Sequence, residues 1–182
     1  MQLEETFVSR DDKFDGHVVN LHVDTVRLPN GHESTREVVS HPGAVAVVVL
    51  DDEDNVFMVD QFRYPLGETL LEIPAGKLEP GEEPFEALKR EQREETGTRA
   101  EKYVDLGVIY PTVGYCDERI YVWACRVTEV LEDLCLDDDE FLEVRKVPLA
   151  ELERRILAGE IRDGKTQIAL LKTANLVRAG RL

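Results

Sequence analysis

Between Gly76 and Thr98 the chain reads GKLEPGEEPFEALKREQREETGT, and its acids fall at helical spacing. At ~100° per residue, Glu91, Glu94 and Glu95 share one face of a helix. Like charges three and four residues apart repel by roughly a few tenths of a kcal/mol per pair. A divalent cation removes that repulsion, and hard carboxylate oxygens in this number suit Mg²⁺ or Mn²⁺, which also hold waters and phosphates. Arg90 lies one turn before Glu94, in reach of a charge-assisted hydrogen bond to it. Glu79-Pro80-Gly81 signals a turn, Pro84 fits a first helical turn, and Gly97 fits a helix end. The stretch reads as loop, helix and stop, with a metal-binding face.

These residues resemble the Nudix box, G-x5-E-x7-R-E-U-x-E-E-x-G-U, where U is a bulky aliphatic residue. Gly76, Glu82, Arg90, Glu91, Glu94, Glu95 and Gly97 match it. Gln92 and Thr98 stand where the family has aliphatic residues that pack the helix. The expectation for a buried, poorly paired Gln92 is that Gln92→Leu is neutral or stabilising, by ~1 kcal/mol at most. The resemblance implies hydrolysis of a diphosphate linked to another group, with water and a divalent metal. It places Glu91 and Glu95 as main metal ligands, Glu94 as a supporting acid, the Ala75 carbonyl as a backbone ligand, and Glu82 in an orienting role.

The flanks narrow the resemblance to bacterial ADP-ribose pyrophosphatases. Gln61-Phe62-Arg63-Tyr64-Pro65, Leu71-Glu72-Ile73-Pro74-Ala75-Gly76-Lys77 and Gly114-Tyr115-Cys116-Asp117-Glu118 carry it, as do Thr35-Arg36-Glu37-Val38-Val39 and His41-Pro42-Gly43. The resemblance implies substrate-binding roles for Arg36, Arg63, Glu72 and Glu118. It also implies a late metal ligand or general base in the acidic run Asp137-Asp138-Asp139-Glu140. Glu140 matches the ligand position and Asp138 the neighbouring acid. The group usually has a proline where this chain has Val113, so the substrate preference extends to other nucleoside diphosphate sugars. A non-catalytic nucleotide-sugar sensor is the contrasting reading, but such sensors tend to lose box acids and this chain keeps them.

The elements that must position these residues follow from composition and pattern. The 182 residues suffice for one full core or for a domain with a small appendage. The net charge of −16 argues against a nucleic-acid surface, and no apolar run approaches the ~20 residues of a membrane span. Cys116, Cys125 and Cys135 are odd in number and form no CxxC pair, which points to reduced thiols in a cytoplasm. His17, His22, His32 and His41 lack zinc spacing. Ala44 to Leu50 reads as a buried strand, Val56 to Gln61 as its return, and Asp51 to Asn55 as a solvated hairpin tip. Tyr103 to Tyr110, Ile120 to Val127 and Leu142 to Val147 read as strands. Leu149 to Ala158 and Lys165 to about Arg178 read as helices.

Strands around one central helix, followed by two helices, give a mixed α/β fold in layers. The resemblance specifies a mixed sheet sandwiched between helices over about 43–178. Residues 1–42 read as an antiparallel β segment, strand-rich with no helix to cover it. The resemblance implies that this segment builds an intertwined homodimer, with 43–182 as the catalytic domain.

Overall fold

The computed structural model describes residues 3–131 and 141–182. They fall into two compact units, one of residues 3–42 with Tyr110–Arg119, the other of Gly43–Ile109 with the remainder from Ile120.

The first unit is an antiparallel meander of β1 (Thr6–Asp15), β2 (Asn20–Arg27) and β3 (Glu33–Ser40). β1 is exposed along its whole length and carries irregularities between Phe7 and Ser9 and between Asp12 and Phe14. Arg10 ties it to β2 by a fork onto Asp24, at 2.8 and 2.9 Å. The Tyr110–Arg119 loop joins this unit through β3. Val39 N–H donates to the Tyr115 carbonyl at 2.7 Å, and Asp117 N–H donates to the Val39 carbonyl at 3.2 Å.

The second unit is built on β4 (Ala44–Leu50), buried at every position. Then come β5 (Asn55–Arg63), β6 (Glu68–Glu72), β7 (Ala75–Lys77), α1 (Pro84–Thr96), β8 (Thr98–Arg99), β9 (Tyr103–Ile109), β10 (Ile120–Arg126), β11 (Glu129–Val130), β12 (Leu142–Pro148), α2 (Leu149–Leu157) and α3 (Gly164–Arg178). The main sheet runs β12-β5-β4-β10-β9, mixed because β4 and β10 are parallel while its other pairs are antiparallel.

Alternation along β4 feeds two cores. Ala44, Ala46, Val48 and Leu50 pack with Leu152 and Ile156 of α2 and Ala169, Leu170 and Ala174 of α3. Val45, Val47 and Val49 pack with Ala87 and Leu88 of α1. A strand buried on both faces belongs between two helical layers, so the sheet lies sandwiched between α1 and the α2–α3 pair, as the resemblance implies.

β4 and β5 pair only at Leu50 and Val56, then part. β6 follows β5 and β7 follows the start of β4, so the chain crosses from one strand to the other at Pro74. Buried backbone donors need partners, and the crossing segment finds them in side chains. Ile73 N–H donates to Thr166 Oγ1 of α3 at 3.0 Å, Pro74 has no N–H, and Ala75 N–H donates to Glu95 Oε2 of α1 at 3.0 Å.

Candidate active site

That crossing places the box. α1 starts with Pro84 in its first turn and ends at Gly97, whose φ of 61° suits the left-handed cap that glycine adopts without a Cβ clash. Gly97 N–H donates to the Arg93 carbonyl at 3.0 Å. The helix therefore runs with Leu88 and Gln92 against the sheet, and Glu91 and Glu95 toward β7.

Glu95 is 1% exposed and accepts the Ala75 amide. Glu91 lies against Gly76. A Cβ built on that glycine would fall 2.0 Å from the Glu91 carboxylate carbon and 2.0 Å from Oε1, so a side chain here would push the carboxylate from its place.

Arg90 organises the rest. Its Nε and Nη2 fork onto Glu82 at 3.0 Å each, and its Nη1 donates to Glu91 at 2.8 Å and Glu94 at 3.0 Å. The sequence placed one carboxylate on this arginine, and the structure gives it three. The hydrogen bonds to Glu82 above all hold Arg90 above the usual guanidinium range, with Glu91 and Glu94 adding to the effect against the cost of burial. Reciprocally, Arg90 is the main reason that Glu82 lies below the usual carboxylate range. Glu82 Oε2 also accepts Glu79 N–H at 3.1 Å, which fixes the loop entering α1.

Glu91, Glu95 and the Ala75 backbone fit a divalent cation. Their donors are hard oxygens, and the chain leaves out a Cβ at Gly76 to make space for one of them. Among the described residues no ready-made cluster of three metal-binding side chains forms.

A model of the NUDIX domain matches residues 40–168, well over half of the chain. The chain belongs to the Nudix family. It is 45% identical over 169 residues to an ADP-ribose pyrophosphatase of Bacillus subtilis (strain 168), covering 92% of this chain and 91% of that protein. It is 42% identical over 168 residues to the methanol dehydrogenase activator of Bacillus methanolicus, with 92% and 91% covered. An ADP-ribose pyrophosphatase of Mycobacterium tuberculosis is 38% identical over 156 residues, with 85% and 75% covered.

Two polar clusters flank this Nudix box. Arg63 of β5 forks onto Glu72 of β6 with two contacts of 2.7 Å. Lys165 of α3 also donates to Glu72, and to Asp163 at 3.0 Å. Glu72 is 2% exposed. Burial works to raise its pKa, but Arg63 and Lys165 outweigh it and hold the carboxyl below its ordinary range. Sequence reading singled out Arg63 and Glu72 but missed Lys165, Asp163 and Thr166. The only local signal was the cap, where Asp163 accepts Thr166 N–H at 3.0 Å and Thr166 Oγ1–H at 2.5 Å.

The second cluster corrects the expectation for Gln92. It is fully buried and well paired. Its amide donates to Thr98 Oγ1 at 3.1 Å, and its carbonyl accepts from Tyr103 at 2.8 Å and from Cys125 Sγ at 3.7 Å. The two positions that depart from the family pattern are thus bonded to each other. Burial pushes both Tyr103 and Cys125 up to about 12, so both stay protonated donors.

In the first unit, Arg36 pairs with Glu5 at 2.5 and 3.0 Å and donates to the Thr35 carbonyl at 2.8 Å. Glu118 lies 3.8 Å from His41 Nδ1. Asp138 and Glu140 lie outside the described residues.

Proposed function

We propose that the chain hydrolyses the diphosphate linkage of ADP-ribose and related nucleoside diphosphate sugars, releasing a nucleoside monophosphate and a sugar phosphate. The observation that carries this reading is the α1 carboxylate face locked onto β7, with Glu95 on the Ala75 amide and Glu91 in the space left by Gly76. The relatives named ADP-ribose pyrophosphatase support the substrate class.

Glu91, Glu95 and the Ala75 carbonyl are the residues that would hold Mg²⁺, with Mn²⁺ as substitute. When bound there, such an ion supplies charge neutralisation on the diphosphate and acidifies water. The protein's own contribution is preorganisation. Arg90 fixes Glu82, Glu91 and Glu94 before substrate arrives, so no acid has to be gathered at the moment of reaction. Arg63 offers a planar guanidinium to phosphate, and Glu72 acts by holding it. Arg36 and Glu118 contact the substrate away from the box. Glu140 completes the ligand set, and Asp138 or Glu140 takes the proton from water. The strands of 1–42 join two copies into a homodimer, which covers the exposed Phe7, Val8, Phe14, Val18 and Val19.

The experiment is a panel of nucleoside diphosphate derivatives incubated with Mg²⁺ or Mn²⁺, with products identified. ADP-ribose giving AMP and ribose 5-phosphate is expected. Failure to cleave any diphosphate sugar with either metal would overturn the reading.

A further inference from the structure

Lys165 occupies a position that local physics disfavours. It sits in the first turn of α3, directly after the cap Asp163 and Gly164. The helix dipole repels a cation there. Its side chain is only 11% exposed, and burial penalises a charged ammonium. What holds it is Glu72, with Asp163 as second partner.

Glu72 is shared. Its Oε1 accepts from Arg63 Nε, and its Oε2 accepts from both Arg63 Nη2 and Lys165 Nζ. Arg63 spends one edge of its guanidinium on this fork. Its Nη1 makes no hydrogen bond among the described residues, and its side chain is 38% exposed. The guanidinium also lies in the field of Asp163 and of the box acid Glu95. One arginine thus faces three carboxylates, and Lys165 is the second cation in the cluster.

We propose that Lys165 is a positioning residue for diphosphate binding: by sharing Glu72 with Arg63, it fixes the guanidinium with its Nη1 edge outward and reduces the negative field that would otherwise repel the diphosphate. The inference rests on the diphosphate-sugar reading of the site. Lys165 touches Glu72 and Asp163, and it acts on the substrate through Arg63. Removing its charge leaves Arg63 alone among Glu72, Asp163 and Glu95. The arginine is then neutralised by its neighbours and attracts phosphate less.

The test uses the full chain in four variants, Lys165→Met, Lys165→Arg, Arg63→Ala and the double variant Arg63→Ala/Lys165→Met. Binding of inorganic diphosphate and of adenosine, each with Mg²⁺, is measured by calorimetry, and KM and kcat are measured on ADP-ribose. Supporting groups of this kind typically carry about 10–100-fold effects, so Lys165→Met is expected to weaken diphosphate about tenfold. Adenosine binding should not change. KM should rise by the same factor with kcat nearly unchanged, the signature of lost binding without lost chemistry. Lys165→Arg should restore binding. The double variant should be no worse than Arg63→Ala alone, because residues acting through one another do not add.

Should Lys165→Met fail to fold, Lys165→Gln is read the same way. The proposal is overturned if the losses add, if adenosine weakens equally, if diphosphate affinity is unchanged, or if the wild type does not bind diphosphate. Lys165-dependent diphosphate binding by a wild type that cleaves no diphosphate sugar would overturn the functional reading and leave this proposal standing. Cleavage of diphosphate sugars indifferent to Lys165 would do the reverse.

Discussion

Two charged clusters flank the β6–β7 crossing, and they are built on opposite plans. Around Arg90 one cation holds three carboxylates, with Glu95 a turn away on the same helix. Around Glu72 two cations are hydrogen-bonded to two carboxylates, so each charge has a direct partner of opposite sign. The first cluster gathers acids around a single base, and under the proposed function it is the face that would take a divalent cation. The second is paired around the buried carboxylate of Glu72, so it serves to hold geometry. On the proposed function, the difference separates the part that would take an ion from the part that holds Arg63.

The comparison is broken most severely at Gly76. Gly76→Ala drives a methyl into the Glu91 carboxylate. The expected loss in kcat is on the order of 10²–10³-fold, the scale for displacing one preorganised electrostatic group. The methyl meets the movable end of a side chain, so stability should fall by less than the about 1–3 kcal/mol of core overpacking. Steady-state kinetics and thermal melts read both, and full activity would show that Glu91 is not held where the chemistry occurs.

Arg90→Met comes next. It releases Glu82, Glu91 and Glu94 together. A fall in activity of about 10–100-fold is expected. Added Mg²⁺ should recover part of it, because the ion takes over the neutralising role.

Gln92→Leu follows, and its predicted sign is the opposite of the sequence expectation. It removes the acceptor of the half-buried Tyr103 hydroxyl and of the buried Cys125 thiol, and leaves Thr98 with Thr96 as its remaining hydroxyl partner. Leaving buried groups unpaired costs about 1–3 kcal/mol, readable in urea unfolding. Gln92→Leu/Thr98→Val should recover part of the loss, since both ends of one bond are removed. A Gln92→Leu protein as stable as wild type would remove the network from the account.

The smallest effect lies outside both clusters, at the β4–β5 tip. Burial works to raise the Asp51 pKa, but Asn55, Lys146 and the Glu53 amide outweigh it and bring it from 3.8 to about 2. A depressed folded-state pKa contributes stability above the unfolded value that is lost as pH falls through the folded one. Stability should therefore fall between about 4 and 2, and Asp51→Asn should make that slope shallower in urea melts at fixed pH.

What was legible in the sequence was local. The acids of α1, its proline start and its glycine stop all lie within 23 residues and obey one helical period. β4 showed itself as an unbroken apolar run. The rest depended on distant partners. Lys165 meets Glu72 across 93 positions, and nothing near Lys165 in the chain signals that meeting. Gln92 finds its partners on β8, β9 and β10, so its burial as a polar group read as a mismatch. β1 has little apolar alternation, and every one of its residues is exposed. The Tyr110–Arg119 loop joins the first unit through β3 hydrogen bonds that composition does not encode.

The central claim is that hydrolysis runs on the α1 carboxylates and a divalent ion. Its most direct test is turnover of ADP-ribose by wild type and Glu95→Gln, each with Mg²⁺ and with excess chelator. Glutamine keeps an oxygen for the Ala75 amide, so the fold is preserved while the charge is removed. The account predicts AMP and ribose 5-phosphate from wild type with Mg²⁺, none with chelator, and a loss in the variant of at least about 10²–10³-fold. Equal turnover by the two proteins, or wild-type turnover that survives chelation, would contradict it.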